Sequence, residues 1–348
     1  MNCMEERETR KLQVTGGSTY ILSLPKKWVI QMGLDKGSQV TLVRQGDESI
    51  LVVPEEYTKP EKLNEGIILS AKESDLTIRR VISAYLVGYN VIYVRSKDGR
   101  IDFNQRNDIK NIIRKKLVGT EIIADSPEEI IIRVLLGYPD LSVESALRRM
   151  CIIASSMHKD AMISLQKLDK NLAKETVAMD DEVDRFSLYI IRQLKAAVED
   201  EKIIKEIGLS SRRDCIGFRL ITKSVERTAD HAVRIAENIL KLKKPVEKKL
   251  YTLIEDMCLS AISLFNLSVE TLFREDFQHA NETVMNAKKV ASMRTNLMEH
   301  IFKKTDIEEV SSLGLIIDSI IRTAEYSSDI AEIVLNLNID KIILSSLD

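Results

Sequence analysis

The chain has 348 residues, a formal net charge of -2 at pH 7 and a sequence pI near 6.2, which excludes a protein whose whole surface grips nucleic acid but leaves room for a local basic patch. With 44% hydrophobic, 30% charged and only 5% aromatic residues, and with 13 Gly and 6 Pro, it can bury two or three cores and favours long helices over a turn-rich sandwich. Cys3, Cys151, Cys215 and Cys258 form no CxxC pair, which argues against a zinc finger or iron-sulfur site and fits a reducing cytosol.

No apolar run reaches the roughly 18 residues of a membrane span, and the acidic start at Glu5, Glu6 and Glu8 lacks the order of a signal peptide. A cytoplasmic location and no transmembrane segment are expected.

Residues 8–54 read as β-rich. Lys11–Val14, Tyr20–Leu24, Gln39–Arg44 and Ser49–Val53 have strand character, with turns offered by Gly16-Gly17, Lys36-Gly37 and Gly46-Asp47. Pro25–Met32 predicts a short helix, opened by Pro25 and ended by Gly33. So small a module buries little apolar surface alone, so a second copy, and hence at least a homodimer, is expected.

Residues 60–140 predict a small α/β unit. Helical Leu76–Leu86 leads through Gly88 to strand Asn90–Val94; helical Ile109–Leu117 leads through Gly119 to Glu121–Ile123; Ile130–Leu135 is a further strand, and Tyr138-Pro139-Asp140 closes the unit.

From Ser142 onward apolar residues recur at helical spacing through Ala146–Leu168, Val177–Ala197, Ile216–Leu240, Leu250–Phe273, Val284–Phe302 and Leu315–Leu337. Arg227-Thr228-Ala229-Asp230 returns as Arg322-Thr323-Ala324-Glu325 and Ile235-Ala236-Glu237 as Ile330-Ala331-Glu332, at a spacing of 95. Ala173, Glu175, Thr176 and Val177 return as Ala280, Glu282, Thr283 and Val284 at a spacing of 107. A duplicated three-helix unit is expected, repeat one at 142–242 and repeat two at 246–340, with the length difference in a loop around Glu199–Arg213. The fold class is therefore multidomain α+β: a β-rich head, an α/β middle and a C-terminal all-α tandem of three-helix bundles.

Two sets of residues carry chemistry. Arg10, Lys11, Lys26 and Lys27 cluster in the head, where a dimer can bring them onto one face able to meet duplex phosphates. Residues 1–60 hold eight Lys/Arg and eight Asp/Glu, so a DNA footprint depends on that clustering; the alternative is a dimerisation module with water-facing lysines. In the body, Glu226 and Asp230 share one helix face at i, i+4, as do Asp180 and Asp184 on the preceding helix. Facing each other, the four carboxylates offer hard oxygen ligands to Mg²⁺, Mn²⁺, iron or Zn²⁺; otherwise they line an ordinary solvated face. His231 is turned about 100° from Asp230 along the helix, so it stands behind the acids or faces solvent.

The stretches Gly16–Lys26 and Met32–Val40 resemble the swapped-hairpin DNA-binding fold of AbrB and MazE antitoxins. The resemblance implies interleaved hairpins of two chains, with Arg10, Lys11, Lys26 and Lys27 inheriting the DNA contacts. Val225–Ile239 and the tandem helical units over 142–340 resemble the PhoU family of phosphate-transport regulators, which implies metal binding by Glu226 and Asp230 with Asp180 and Asp184 opposite. The combination is similar to phosphate uptake regulators found in archaea. In the second repeat Ile321, Ala287 and Ala291 replace three of the acids, leaving Glu325 and Asp329 as a weaker pair; at most one well-formed metal site is expected.

No GxxxxGK[ST] loop, nucleophile elbow or E-x-x-H pair occurs, so no enzymatic activity is expected. The resemblances imply a regulator of phosphate uptake acting at promoters, or an adaptor that binds a phosphate ABC transporter or a signalling protein with the head as dimeriser; the acidic helices offer a metal sensor as a further alternative.

Overall fold

The computed structural model describes residues 7–44, 48–54, 64–97, 99–274, 276–304, 307–339 and 343. They fall into two compact units, residues 1–62 and 63–348.

In the first unit β1 (Gln13–Thr15) pairs antiparallel with β2 (Thr19–Ile21). Gly16 and Gly17 make the turn at φ 60° and 85°, left-handed angles that glycine reaches without a Cβ penalty. Helix α1 (Lys26–Gln31) starts after Pro25, whose carbonyl accepts from the amides of Trp28 and Val29 at 3.0 and 3.1 Å. It leads to a second antiparallel pair, β3 (Val40–Arg44) and β4 (Ile50–Pro54); the Gly46-Asp47 turn predicted between them lies outside the described residues. The first two strands are three residues each, shorter than predicted. Within one chain these hairpins bury almost nothing: Val14 is 59% exposed, Tyr20 69%, Leu42 66% and Ile50 67%. Two-stranded ribbons with both faces wet are marginal alone.

The second unit opens with a four-stranded sheet in the order β5-β6-β8-β7, formed by β5 (Glu65–Leu69), β6 (Val91–Arg95), β7 (Thr120–Asp125) and β8 (Glu129–Val134). β5 runs parallel to β6, the other pairs are antiparallel, and α2 (Ser74–Val87) and α3 (Phe103–Lys116) connect the strands. Strand β5 escapes sequence periodicity, because Gly-Ile-Ile-Leu is too short and unalternating to separate from a helical run. Asp102 caps α3 by accepting from the amides of Asn104 and Gln105 at 2.9 and 3.2 Å. Val81, Tyr85, Ile92, Ile109, Ile113, Ile130 and Ile132 form this sheet's core.

A single 3₁₀ turn at Tyr138–Asp140 leads into the helices. Helix α4 (Val143–Lys167) is capped by Ser142 and α5 (Lys170–Ala178) by Asp169. Then come α6 (Asp180–Glu199), α7 (Glu201–Glu206), α8 (Asp214–Lys241), α9 (Lys248–Arg274), α10 (Phe277–Ser292), α11 (Arg294–Lys304) and α12 (Ile307–Asn338). Two of the predicted helices are each divided, one at Met179 and one at Met293. The loop expected around Glu199–Arg213 contains α7, and the insertion is not idle: Ile204, Ile207 and Leu209 are buried in the core beneath it.

The internal repeat is visible as matched burial. Thr228 and Thr323, Ala229 and Ala324, Ile235 and Ile330, and Ala236 and Ala331 are all buried at 1% exposure or less. Thr228 and Thr323 also donate to the carbonyls of Ser224 and Ser319, four residues back in each case. Helices α8 and α12 therefore meet as equivalent elements along a central seam. At that seam His158 of α4 is 1% exposed, with Nε2 3.0 Å from the Thr228 carbonyl and 3.3 Å from Thr323 Oγ1. Helix α9 alone among the described helices is long and apolar enough to cross a membrane by length and composition; half of that stretch is buried in the body, as in a core helix.

The α/β portion and the helices belong to one compact unit. Arg192 of α6, 5% exposed, is their main polar fastener. It donates to the carbonyls of Tyr85, Gly88 and Tyr89 and to Asn90 Oδ1, and its guanidinium lies over the Tyr85 ring. Those carbonyls surround the left-handed Gly88 that ends α2, where a helix has acceptors to spare.

Candidate functional site

Asp180, Asp181 and Glu182 form the first turn of α6, where the helix dipole favours carboxylates. Helix α6 packs on α8, which brings predicted acids of the two helices within electrostatic reach of one another. Burial, then Asp184 and Asp230, push the Asp180 carboxyl up to about 7. Asp230 is also raised, first by burial, then by Glu226, with Asp184 adding and Lys223 opposing. Ser187 Oγ lies 3.4 Å from Glu226. Asp180 and Asp230 therefore feel the acids of both helices, and each holds its proton above the usual carboxylate range.

Cations the sequence reading did not foresee sit at the edges. Lys116 Nζ is 2.8 Å from Asp184 and 3.5 Å from Asp181, Lys115 Nζ is 3.6 Å from Asp181, and Lys223 Nζ is 2.5 Å from Glu226. Nothing in the sequence places the basic end of α3 against α6; Lys223, three residues before Glu226 on one helix, is a pair that spacing could have offered. Asp180 Oδ1 is left buried with no hydrogen-bond partner.

The donor chemistry fits a hard divalent cation, and the unpartnered Asp180 oxygen is the atom such an ion would satisfy. Yet among the described residues no group of three or more His, Cys, Asp or Glu is arranged to hold a metal ion. The quartet is gathered without being closed around one point.

The second repeat differs as its sequence suggests. Ala287 and Ile321 are buried in a hydrophobic core, and Ala291 packs against it. Glu325 is bound by the Arg322 guanidinium. Asp329 is raised by burial and Glu332, while Arg322 and Arg227 pull the other way. That pair has arginine neighbours, and the acids that act on Asp329 among the described residues, Glu325 and Glu332, lie on its own helix.

His231 does not face solvent. It is 6% exposed, its ring lies 5.7 Å from that of Tyr326, its counterpart 95 residues on, and its Nδ1 has no hydrogen-bond partner. Burial, with Arg234 and Arg322 nearby, pulls it down to about 4, so the ring is neutral.

In the head, Arg10 and Lys11 precede β1, and Lys26 and Lys27 open α1; all four are exposed. Glu8 engages the Arg10 guanidinium, and Lys27 has an interaction of its own within the chain.

Comparison with known proteins fits this division. Residues 147–239 match the PhoU domain model, and residues 13–60 match that of MazE, the bacterial antitoxin described as antidote-toxin recognition. The structure is similar to the phosphate transport system regulatory protein PhoU from Streptococcus pneumoniae, at 17% identity and a TM-score of 0.50, covering 58% of this chain and 96% of that one. PhoU from Pseudomonas aeruginosa is similar at 17% identity and a TM-score of 0.50, covering 57% of this chain and 96% of that one. No curated protein matches the chain. A β-rich N-terminal region is thus followed by a mostly α-helical region of PhoU-like architecture, and neither matched family is catalytic.

Proposed function

We propose that this chain, PhoU-like in its body and MazE/AbrB-like in its head, is a cytoplasmic, oligomeric regulator of phosphate uptake that acts as a DNA-binding transcriptional regulator. The observation that carries the reading is the head itself. Its apolar strands are exposed in one chain and call for a second copy, and four exposed cations, Arg10, Lys11, Lys26 and Lys27, would be doubled by that pairing. Doubling matters because the charge-balanced head gains phosphate affinity only where cations cluster.

The test is a titration of full-length protein against DNA from upstream of its own gene and against an unrelated duplex, across a range of salt. Specific binding should exceed non-specific binding by about a thousandfold or more at physiological salt. Paired Lys26→Ala and Lys27→Ala should weaken binding to every duplex and flatten the salt slope. Equal weak affinity for all duplexes would favour the adaptor reading, in which the head only joins chains and the body binds a phosphate ABC transporter or a signalling protein.

A second reading, a divalent-metal sensor, is favoured by the buried, unpartnered Asp180 Oδ1 among Asp184, Glu226 and Asp230. Those four residues would hold a Mg²⁺, Mn²⁺, iron or Zn²⁺ ion, whose charge would relieve their repulsion. Elemental analysis of protein purified without chelator tests it; metal-free protein whose stability Mn²⁺ leaves unchanged would sink it.

A further inference from the structure

A groove of about 690 Å³ follows the α8–α12 seam and bears a charge opposite to that of the quartet. Arg227 and Arg234 of α8 and Arg322 of α12 line it, all exposed. Buried polar residues complete the lining: His231 is 6% exposed, Asn238 5% and Ser319 4%. Of the two acids that also border it, Asp318 is paired with Arg294 at 2.9 Å and Asp230 belongs to the acidic quartet.

Arg227 and Arg322 are repeat equivalents, 95 residues apart, and both approach one ring: their guanidinium carbons lie 5.8 and 5.0 Å from the centroid of Tyr326. Arg322 also donates to the Tyr326 hydroxyl at 3.1 Å and to Glu325. No salt bridge holds Arg227 or Arg234 within the described chain. Like charges brought to one ring repel, and an anion between them removes that repulsion. Guanidinium forks suit an oxyanion that presents several oxygens at once, and Arg227 and Arg234, which no salt bridge neutralises among the described residues, suit one that carries more than a single charge.

We propose that this groove binds a small, multiply charged phosphorylated anion, with Arg227 and Arg322 as a symmetric clamp and Arg234 as the third cation. The inference goes beyond the proposed regulatory role, since it involves neither the head nor a metal ion, and DNA binding can fail without affecting it.

The experiment is isothermal titration of the full-length protein, in chelator and at fixed ionic strength, with inorganic phosphate, pyrophosphate, ATP and citrate. At least one phosphorylated probe should bind and raise the melting temperature of the wild-type protein, a readout that needs no variant. Its affinity should fall about tenfold or more in Arg227→Gln and in Arg322→Gln. Arg274→Gln, which removes an equal charge from the exposed end of α9, should leave it unchanged. Binding of phosphate or pyrophosphate without ATP would assign a free inorganic anion; binding of ATP would assign a phosphoester, and either supports the proposal. Absence of binding by all three phosphorylated probes at millimolar concentration, citrate binding as tightly as they do, or an equal loss in Arg274→Gln would overturn it.

Discussion

Lys116 Nζ, in the last turn of α3, lies 2.8 Å from Asp184 Oδ2 on α6, so the α/β portion supplies a countercharge to the acidic quartet of the helical body. Both side chains are 26% exposed, which places the pair between a worthless surface contact and a costly buried one. Lys116→Met should lower stability by about 1–2 kcal/mol near neutral pH. In a cycle with Asp184→Asn, the double variant should be more stable than the sum of the two single effects, because Asp184 also repels Asp180 and Asp230 and its lone charge is a liability once Lys116 is gone. Denaturant melts of the three variants measure this, and full additivity would mean the two groups do not interact.

Asp180 gives the quartet a pH signature. Its carboxyl is raised from 3.8 to about 7, so between those values the folded state holds a proton that the unfolded chain has released. Its contribution is therefore fully present below pH 3.8 and is lost as pH rises through 7. Asp180→Asn should be more stable than wild type at pH 8, by on the order of 1–2 kcal/mol once solvent screening of this half-buried group is discounted. The advantage should vanish toward pH 4, and melting curves across that range in chelator check it.

Arg192 should be irreplaceable in a specific way. Its guanidinium is shared among three carbonyls and Asn90, and burial alone pulls its pKa down. Arg192→Met should cost about 3 kcal/mol or more by orphaning those acceptors. Arg192→Lys should recover only part, because an ammonium cannot span the fork. Loss of hydrogen-exchange protection in α2 and β6 ahead of α8 and α12 would identify the damaged join.

His158 should set part of the acid limit. Burial pulls it to about 4, against which the Thr228 carbonyl pushes weakly, and its Nδ1 has no acceptor for a second proton. The unfolded ring takes a proton near 6.5, so the stabilisation is whole above that pH and declines as pH falls toward 4, by about 3 kcal/mol in all. His158→Gln, which can keep a donor toward Thr228, should flatten that decline. An acid limb identical to wild type would contradict the assignment.

Much of the architecture is legible in the sequence because it rests on periodicity. The repeat at 95 residues marks positions that prove equally buried, such as Ile235 and Ile330, and the i, i+4 spacing marks Asp180 and Asp230, each of which is raised in part by an acid of the facing helix. What stays hidden depends on where separate elements come to rest. Lys116 is one lysine of a basic helix end until α3 is laid against α6, and Arg227 and Arg322 are ordinary exposed arginines until α8 meets α12. Strand β5 stays hidden because five residues carry too little pattern, and α7 because a length difference between repeats looks like loop whether or not it packs.

Duplication gives the matched threonines and isoleucines of the seam one more meaning. The join is kept by buried residues, so the outward positions of each half can differ without reopening it. Three carboxylates in the first half answer to Ala287, Ala291 and Ile321 in the second, which simply join the packing there. The second half keeps the seam and gives Arg322 and Tyr326 to the groove but lacks those acids, so two copies of one plan no longer carry the same charge.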